Sequence, residues 1–184
     1  MLNPLLIVDV QLGFINEFTH HLPKRISRLI QQGEYRPILF SRFINLPDAP
    51  YFRFLDWHGC QREPEINLAP ALEPFAKPEL VFAKLGLCGL PDELADYLRQ
   101  QPIEQISIVG IDTDMCVLKI AMDLFDMGIE PTVLVDCCAS TAGLQAHLAG
   151  LAVLSRNIGA HRLREAGLNE GTIAAPLKTS GSAS

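Results

Sequence analysis

The chain has 184 residues, enough for one ordinary domain with a full core. Apolar residues make up 48% and charged residues 20%, which excludes a disordered chain. Against 15 basic side chains stand 21 acidic ones, a net charge of −6. No stretch is rich enough in Lys and Arg to track a phosphate backbone, so no nucleic-acid partner is expected. No apolar run reaches the roughly 18 to 20 residues of a membrane span. The opening MLNPLLIVDV lacks a basic leader and carries an Asp, so it reads as a strand and not as a signal peptide. A cytoplasmic location without membrane attachment is expected. Five cysteines, Cys60, Cys88, Cys116, Cys137 and Cys138, form no CxxC pair, and no disulfide is expected in a reducing compartment.

LLIVDV (5–10) is a short apolar, β-branched run and predicts a buried strand. PKRISRLIQQG (23–33) places Ile26, Leu29 and Ile30 at helical spacing and ends on Gly33. RPILFSRF (36–43) predicts a second strand. Residues 44–78 hold six prolines, which predicts an irregular excursion with one short helix around YFRFLDW. ELVFAK (79–84) predicts a third strand. PDELADYLRQQ (91–101) starts with Pro and early acids and keeps Leu94, Tyr97 and Leu98 on one face, the pattern of a helix. QISIVG (105–110) predicts a fourth strand, MCVLKIAMDLFDMG (115–128) a helix closed by Gly128, and EPTVLVDCC (130–138) a fifth strand. TAGLQAHLAGLAVLSRNIG (141–159) predicts a helix, and AHRL (160–163) a weak sixth strand.

Strands alternate with helices throughout, and the strands are continuously apolar. That pattern predicts an α/β fold: a three-layer α/β/α sandwich with a mostly parallel, Rossmann-like sheet of about six strands. A single domain over residues 1–175 and a small polar tail at 176–184, disordered, are expected.

Ligands of open α/β sheets bind beyond the carboxyl ends of the strands. Asp9 follows the first strand, Lys84 ends the third, and Cys116 follows the fourth at the start of a helix. Each has a plain structural alternative: a loop-tying Asp, a solvated Lys, a buried Cys used as filler. Their convergence on one edge favours a reactive set. A helix N-terminus and a nearby ammonium both favour the thiolate of Cys116, the reactive form. Asp9 is placed to act as its general base. Thr113 is a candidate cap for this helix, and Gly110 a position where a side chain would block a close approach. Asp136 is expected to tie down a loop, and Cys137 and Cys138 to be filler.

LLIVDVQLGF (5–14), VFAK (81–84) and GIDTDMCV (110–117), in this order, resemble the isochorismatase-like cysteine hydrolase superfamily, along nearly the whole chain. The resemblance implies C–N bond hydrolysis of an amide or ureido small molecule through a thioester acyl-enzyme. It implies a triad of Asp9, Lys84 and Cys116. It also implies a cis peptide at Ile111–Asp112 and an oxyanion hole from the backbone N–H groups of Asp112 and Cys116. Phe14 holds a position that lines the substrate pocket in relatives, and Phe43, Trp57 and Leu85 are its expected companions. Isochorismatase itself lacks the nucleophilic Cys and cleaves a vinyl ether, so Cys116 favours amide-type chemistry.

Nicotinamidases in this superfamily carry a D-x-H metal site and a further His soon after the second strand. Here Asp56 and His58 imitate that spacing but come late, so no metal and no cofactor are expected. After the Lys, KLGLCGL puts Cys88 and Gly89 where relatives carry a small residue and Phe. Homo-oligomers are expected by analogy, with the helices of 115–128 and 141–157 as candidate faces. A non-catalytic binding or scaffold role is the alternative reading. A thiol redox sensor is a third, and it requires a resolving cysteine near Cys116.

Overall fold

A computed structural model describes residues 2–33, 35–86 and 89–168. The tail at 176–184 and Cys88 lie outside the described residues.

Six strands form one sheet: β1 (Leu5–Val8), β2 (Ile38–Phe43), β3 (Val81–Lys84), β4 (Gln105–Ile111), β5 (Glu130–Ala139) and β6 (Leu163–Arg164). They run in the order β3-β2-β1-β4-β5-β6, and every neighbouring pair is parallel. Five helices connect them: α1 (Leu22–Gln32), α2 (Pro50–Leu55), α3 (Asp92–Arg99), α4 (Leu118–Asp126) and α5 (Leu144–Ile158).

All four residues of β1 are fully buried, because side chains alternate between two covered faces. Leu6 and Val8 join Leu94 and Leu98 of α3, Ile120 and Leu124 of α4, and Leu154 and Ile158 of α5. Leu5 and Ile7 join Leu22, Ile26, Leu29 and Ile30 of α1 on the opposite face. Burial of each of these large side chains is worth roughly 1.5–3 kcal/mol. The two faces are covered unequally. Beside α1, the second face is closed by Leu68, Ala69 and Leu72 of the proline-rich excursion, which explains why that segment is apolar without being regular.

Several boundaries differ from the sequence pattern, among them the starts of the third strand, the fourth helix and the sixth strand. The third strand starts at Val81, because Pro78–Leu80 form a 3-10 turn and Pro has no N–H for a sheet ladder. The helix expected from residue 115 starts at Leu118, after a wide turn over Thr113–Val117. The sixth strand is Leu163–Arg164, with Ala160–Arg162 in a 3-10 turn. Asp136 ties two segments together: it pairs with Arg25 of α1 and accepts from the Ala166 N–H at 2.7 Å.

Gly110 is required where it stands. Its φ is +131°, and a Cβ there would lie 2.2 Å from the Val8 carbonyl oxygen on β1. No helix among the described residues is long and apolar enough to cross a membrane. Leu144, Leu148 and Val153 of α5 remain at the surface.

Candidate active site

The strand order reverses between β1 and β4, and the crevice at such a reversal is where open α/β sheets bind ligands. Asp9 leaves β1 there with a left-handed φ of 50°, a conformation that Asp tolerates better than most residues. The side chain of Gln11 then stands in for a strand. Its Nε2 donates to the Phe43 carbonyl at 2.9 Å, and the Phe43 N–H donates to its Oε1 at 2.7 Å. The Gln of the D-x-Q element is thus a tie between β1 and β2.

Lys84 is two strands away from Asp9, on the far side of β2. Neighbouring strands are about 4.8 Å apart, so only a long side chain crosses that distance. It does so over Phe43 of β2, with Nζ 4.7 Å from the ring centroid. The ammonium then meets Asp9 Oδ2 at 3.0 Å and donates to Cys116 Sγ at 3.3 Å and to the Gly86 carbonyl at 3.2 Å. Ser41 Oγ donates to Asp9 Oδ1 at 2.7 Å. Asp9, Lys84 and Cys116 are 0, 1 and 9% exposed. Lone charges at that depth would be costly, and here each is paired.

Cys116 sits in the wide turn. The Asp112 carbonyl accepts from both the Met115 N–H at 3.1 Å and the Val117 N–H at 3.0 Å. The Ile111–Asp112 peptide bond is cis. The Asp112 carboxylate accepts the Thr141 N–H at 2.5 Å and the Thr141 hydroxyl at 2.9 Å. Thr113 does not cap the helix: its hydroxyl is hydrogen-bonded to His147 Nδ1 at 2.8 Å.

The electrostatics correct one expectation. Burial, and then the charge of Asp9, push the Cys116 thiol up to about 12, and the opposing pull of Lys84 does not reverse this. Desolvation of the buried sulfur, together with Asp9, outweighs the pull of the ammonium and favours the neutral thiol. Burial lowers the pKa of Lys84, but Asp9 and Cys116 more than restore it, so Lys84 stays protonated. The rate of Cys116 alkylation by iodoacetamide, followed by peptide mass spectrometry, should keep rising from pH 7 to 10. An ordinary thiol levels off above about 8.5, and a plateau there contradicts this assignment. Ser41→Ala removes a buried donor from a carboxylate and should cost about 1–3 kcal/mol in urea unfolding. An unchanged midpoint would mean that Asp9 Oδ1 does not depend on Ser41.

Cys116 opens into a cavity of about 450 Å³. Its walls include Phe14, Phe43, Tyr51, Trp57, Ile111 and Met115, with Asn16, Asp112 and Thr141 as polar members. The Phe14 and Trp57 rings lie nearly parallel, 10° apart, with centroids 6.1 Å apart. Tyr51 holds Trp57 and Phe43 edge-on at 5.4 and 5.5 Å. Leu85 does not line this cavity and is 55% exposed, since it follows Lys84 by one residue and strand side chains alternate. Sequence reading missed Ser41, Tyr51, Met115 and Thr141. Tyr51 was within reach, as the one Tyr of the predicted short helix beside Trp57.

Asp56 and His58 are not joined by a third metal-ligating side chain among the described residues. Asp56 and His58 bind each other at 2.9 Å, with the Asp56 side chain 96% exposed. The segment leaving β2 reads Phe43, Ile44, Asn45. Among the described residues no three His, Cys, Asp or Glu side chains are grouped to hold an ion. Cys60, Cys116, Cys137 and Cys138 are free thiols.

The thiol at the switch point of the parallel sheet, facing an aromatic-walled cavity, forms a candidate small-molecule site. The Isochorismatase domain matches residues 4–164, and the chain belongs to this family of hydrolases. It is 32% identical to the nicotinamidase/pyrazinamidase of Mycobacterium tuberculosis (strain ATCC 25618 / H37Rv), with 77% of this chain and 87% of that protein covered. Its fold is similar to that of an isochorismatase-like hydrolase from Alkaliphilus metalliredigens, with a TM-score of 0.76 at 19% identity over 90% of this chain and 96% of that one. It is similar as well to N-carbamoylsarcosine amidase from Thermoplasma acidophilum, with a TM-score of 0.72 at 19% identity over 93% and 100%.

Proposed function

We propose that this chain is a metal-independent cysteine amidohydrolase that cleaves the C–N bond of a small, uncharged, planar amide through a thioester. The observation that carries the reading is Lys84 Nζ set between Asp9 Oδ2 at 3.0 Å and Cys116 Sγ at 3.3 Å, at the end of an aromatic-walled cavity.

Asp9 takes the thiol proton as Cys116 Sγ attacks the carbonyl carbon. The oxyanion of the tetrahedral intermediate lies against the N–H groups of Asp112 and Cys116. The proton held by Asp9 passes to the leaving nitrogen, the C–N bond breaks, and the acyl group remains on sulfur. Asp9 then takes a proton from water, the hydroxide attacks the thioester, and the proton returns to the sulfur as the acid leaves. Lys84 balances the negative charge as it moves from Asp9 to sulfur. A thiol at rest suits this cycle, because the base and the nucleophile are neighbours and proton transfer accompanies attack.

Among the described residues the cavity lining contains no Lys, Arg or His, and the Asp112 carboxylate is taken by Thr141. A substrate carboxylate would meet no cation there. The test is ammonia release from nicotinamide, pyrazinamide, benzamide and N-carbamoylsarcosine. The uncharged planar carboxamides should turn over and the carboxylate-bearing compound should not. Failure of every uncharged amide overturns the reading and favours a non-catalytic binding role.

A further inference from the structure

The turn that carries Asp112 and Cys116 has a support that the chemistry above does not use. Thr113 lies between the two and is fully buried. Its hydroxyl meets His147 Nδ1, on the first turn of α5, at 2.8 Å. One helical turn further on, Gly150 brings the α5 backbone against the same segment. A Cβ on Gly150 would stand 2.7 Å from Asp114 Cα, 2.8 Å from Asp114 N and 2.9 Å from the Thr113 carbonyl carbon. α5 therefore grips the nucleophile turn at two points, by close contact at Gly150 and by a hydrogen bond at His147. Residues three apart share a helix face, so both contacts come from one side of α5.

His147 does not line the cavity that Cys116 faces. It lines a different one, of about 870 Å³, together with His20, His21, Glu17 and Ser140. It cannot touch a substrate held at Cys116, so any effect on the reaction passes through Thr113. A buried hydroxyl without its partner costs free energy. The cheapest relief is a rotation of the turn that lets Thr113 find another partner. Such a rotation moves the N–H groups of Asp112 and Cys116 and leaves the aromatic walls in place.

We propose that His147 is a positioning residue which, through Thr113, fixes the oxyanion-binding geometry of the Asp112–Cys116 turn. The proposal rests on the cysteine-nucleophile reading given above. A structural role alone would weaken all ligands and lower the melting temperature together. A positioning role weakens only a ligand that forms the tetrahedral centre.

Benzaldehyde and benzyl alcohol separate the two. Both carry the planar ring, but only the aldehyde reacts. The thiol adds across its C=O, the S–C bond forms as the carbonyl π bond breaks, and the thiol proton ends on oxygen as a thiohemiacetal. Titration calorimetry on the full chain measures both affinities. In His147→Ala, benzaldehyde should weaken about tenfold, the worth of one hydrogen bond, and benzyl alcohol less than twofold. His147→Asn keeps a polar atom near the Nδ1 position and should restore most of the loss. Thr113→Val should match His147→Ala, and the double variant should be no worse than either.

If Cys116→Ala keeps full benzaldehyde affinity, the nucleophile reading fails whatever His147 does. Wild type that binds no benzaldehyde overturns that reading and this proposal together. If Cys116→Ala loses the affinity but His147→Ala keeps it, the positioning role fails and the nucleophile reading survives. Equal weakening of both ligands in His147→Ala, or no recovery in His147→Asn, reduces His147 to a structural residue.

Discussion

Cys116→Ala should abolish amide hydrolysis, by roughly 10⁴-fold or more, while leaving the chain folded. Loss of a covalent nucleophile commonly costs that much in kcat, because the remaining groups bind and polarise the carbonyl without attacking it. The folding side follows from burial. Cys116 is 9% exposed and packs in the same core cluster as Val117 and Ile120. Removing one sulfur leaves a small void beside the Asp9–Lys84 pair, whose 3.0 Å contact does not involve the sulfur. A thermal melt within a few degrees of wild type, together with lost ammonia release, is the expected pair of results. Turnover that survives in Cys116→Ala would remove the thiol from the mechanism.

Lys84→Met should be damaging in two separable ways. Activity should fall by several orders of magnitude, because the charge passing from Asp9 to sulfur loses the cation that faces both. Stability should fall by about 3–5 kcal/mol, the usual result of removing one partner from a buried ion pair. The cause is the carboxylate left behind: Asp9 is fully buried and keeps Ser41 as a side-chain donor, but no cation. The double variant Asp9→Asn with Lys84→Met should recover much of that stability, since neither side chain is then charged, and should remain inactive. Denaturant unfolding and activity on the same three proteins test this. If the double variant is as unstable as the single one, the loss comes from the packing of the Lys84 stem over Phe43 and not from an unpaired charge.

The two predictions rest on different parts of what the chain encodes. The strand–helix alternation was legible, and Asp9, Lys84 and Cys116 stood out as candidates, because both signals are local. A parallel sheet buries both faces, so its strands read as unbroken apolar runs such as LLIV and ISIV. The polar residue that ends such a run stands out against it, as Asp9 and Lys84 do. Gly110 was legible for a related reason, since a close strand neighbour allows no side chain. Helix starts were less legible. The wide turn at Thr113–Val117 depends on one carbonyl, that of Asp112, accepting two N–H groups, and no residue type marks that.

The layered α/β architecture was readable in the sequence, which also pointed to Asp9, Lys84 and Cys116 as candidate reactive residues and to Phe14, Phe43 and Trp57 as candidate pocket walls. These follow from periodicity, from strand ends and from the matched motifs. The packed fold set the burial that pushes the Cys116 thiol up, the reach of Lys84 across β2, the place of Leu85 outside the cavity and the pairing of Asp56 with His58. It alone joined Thr113 to His147, 34 residues along the chain. The physical reason is common to all of these. Desolvation and Coulomb energies depend on distance and burial, and those are fixed when segments far apart in the sequence pack together.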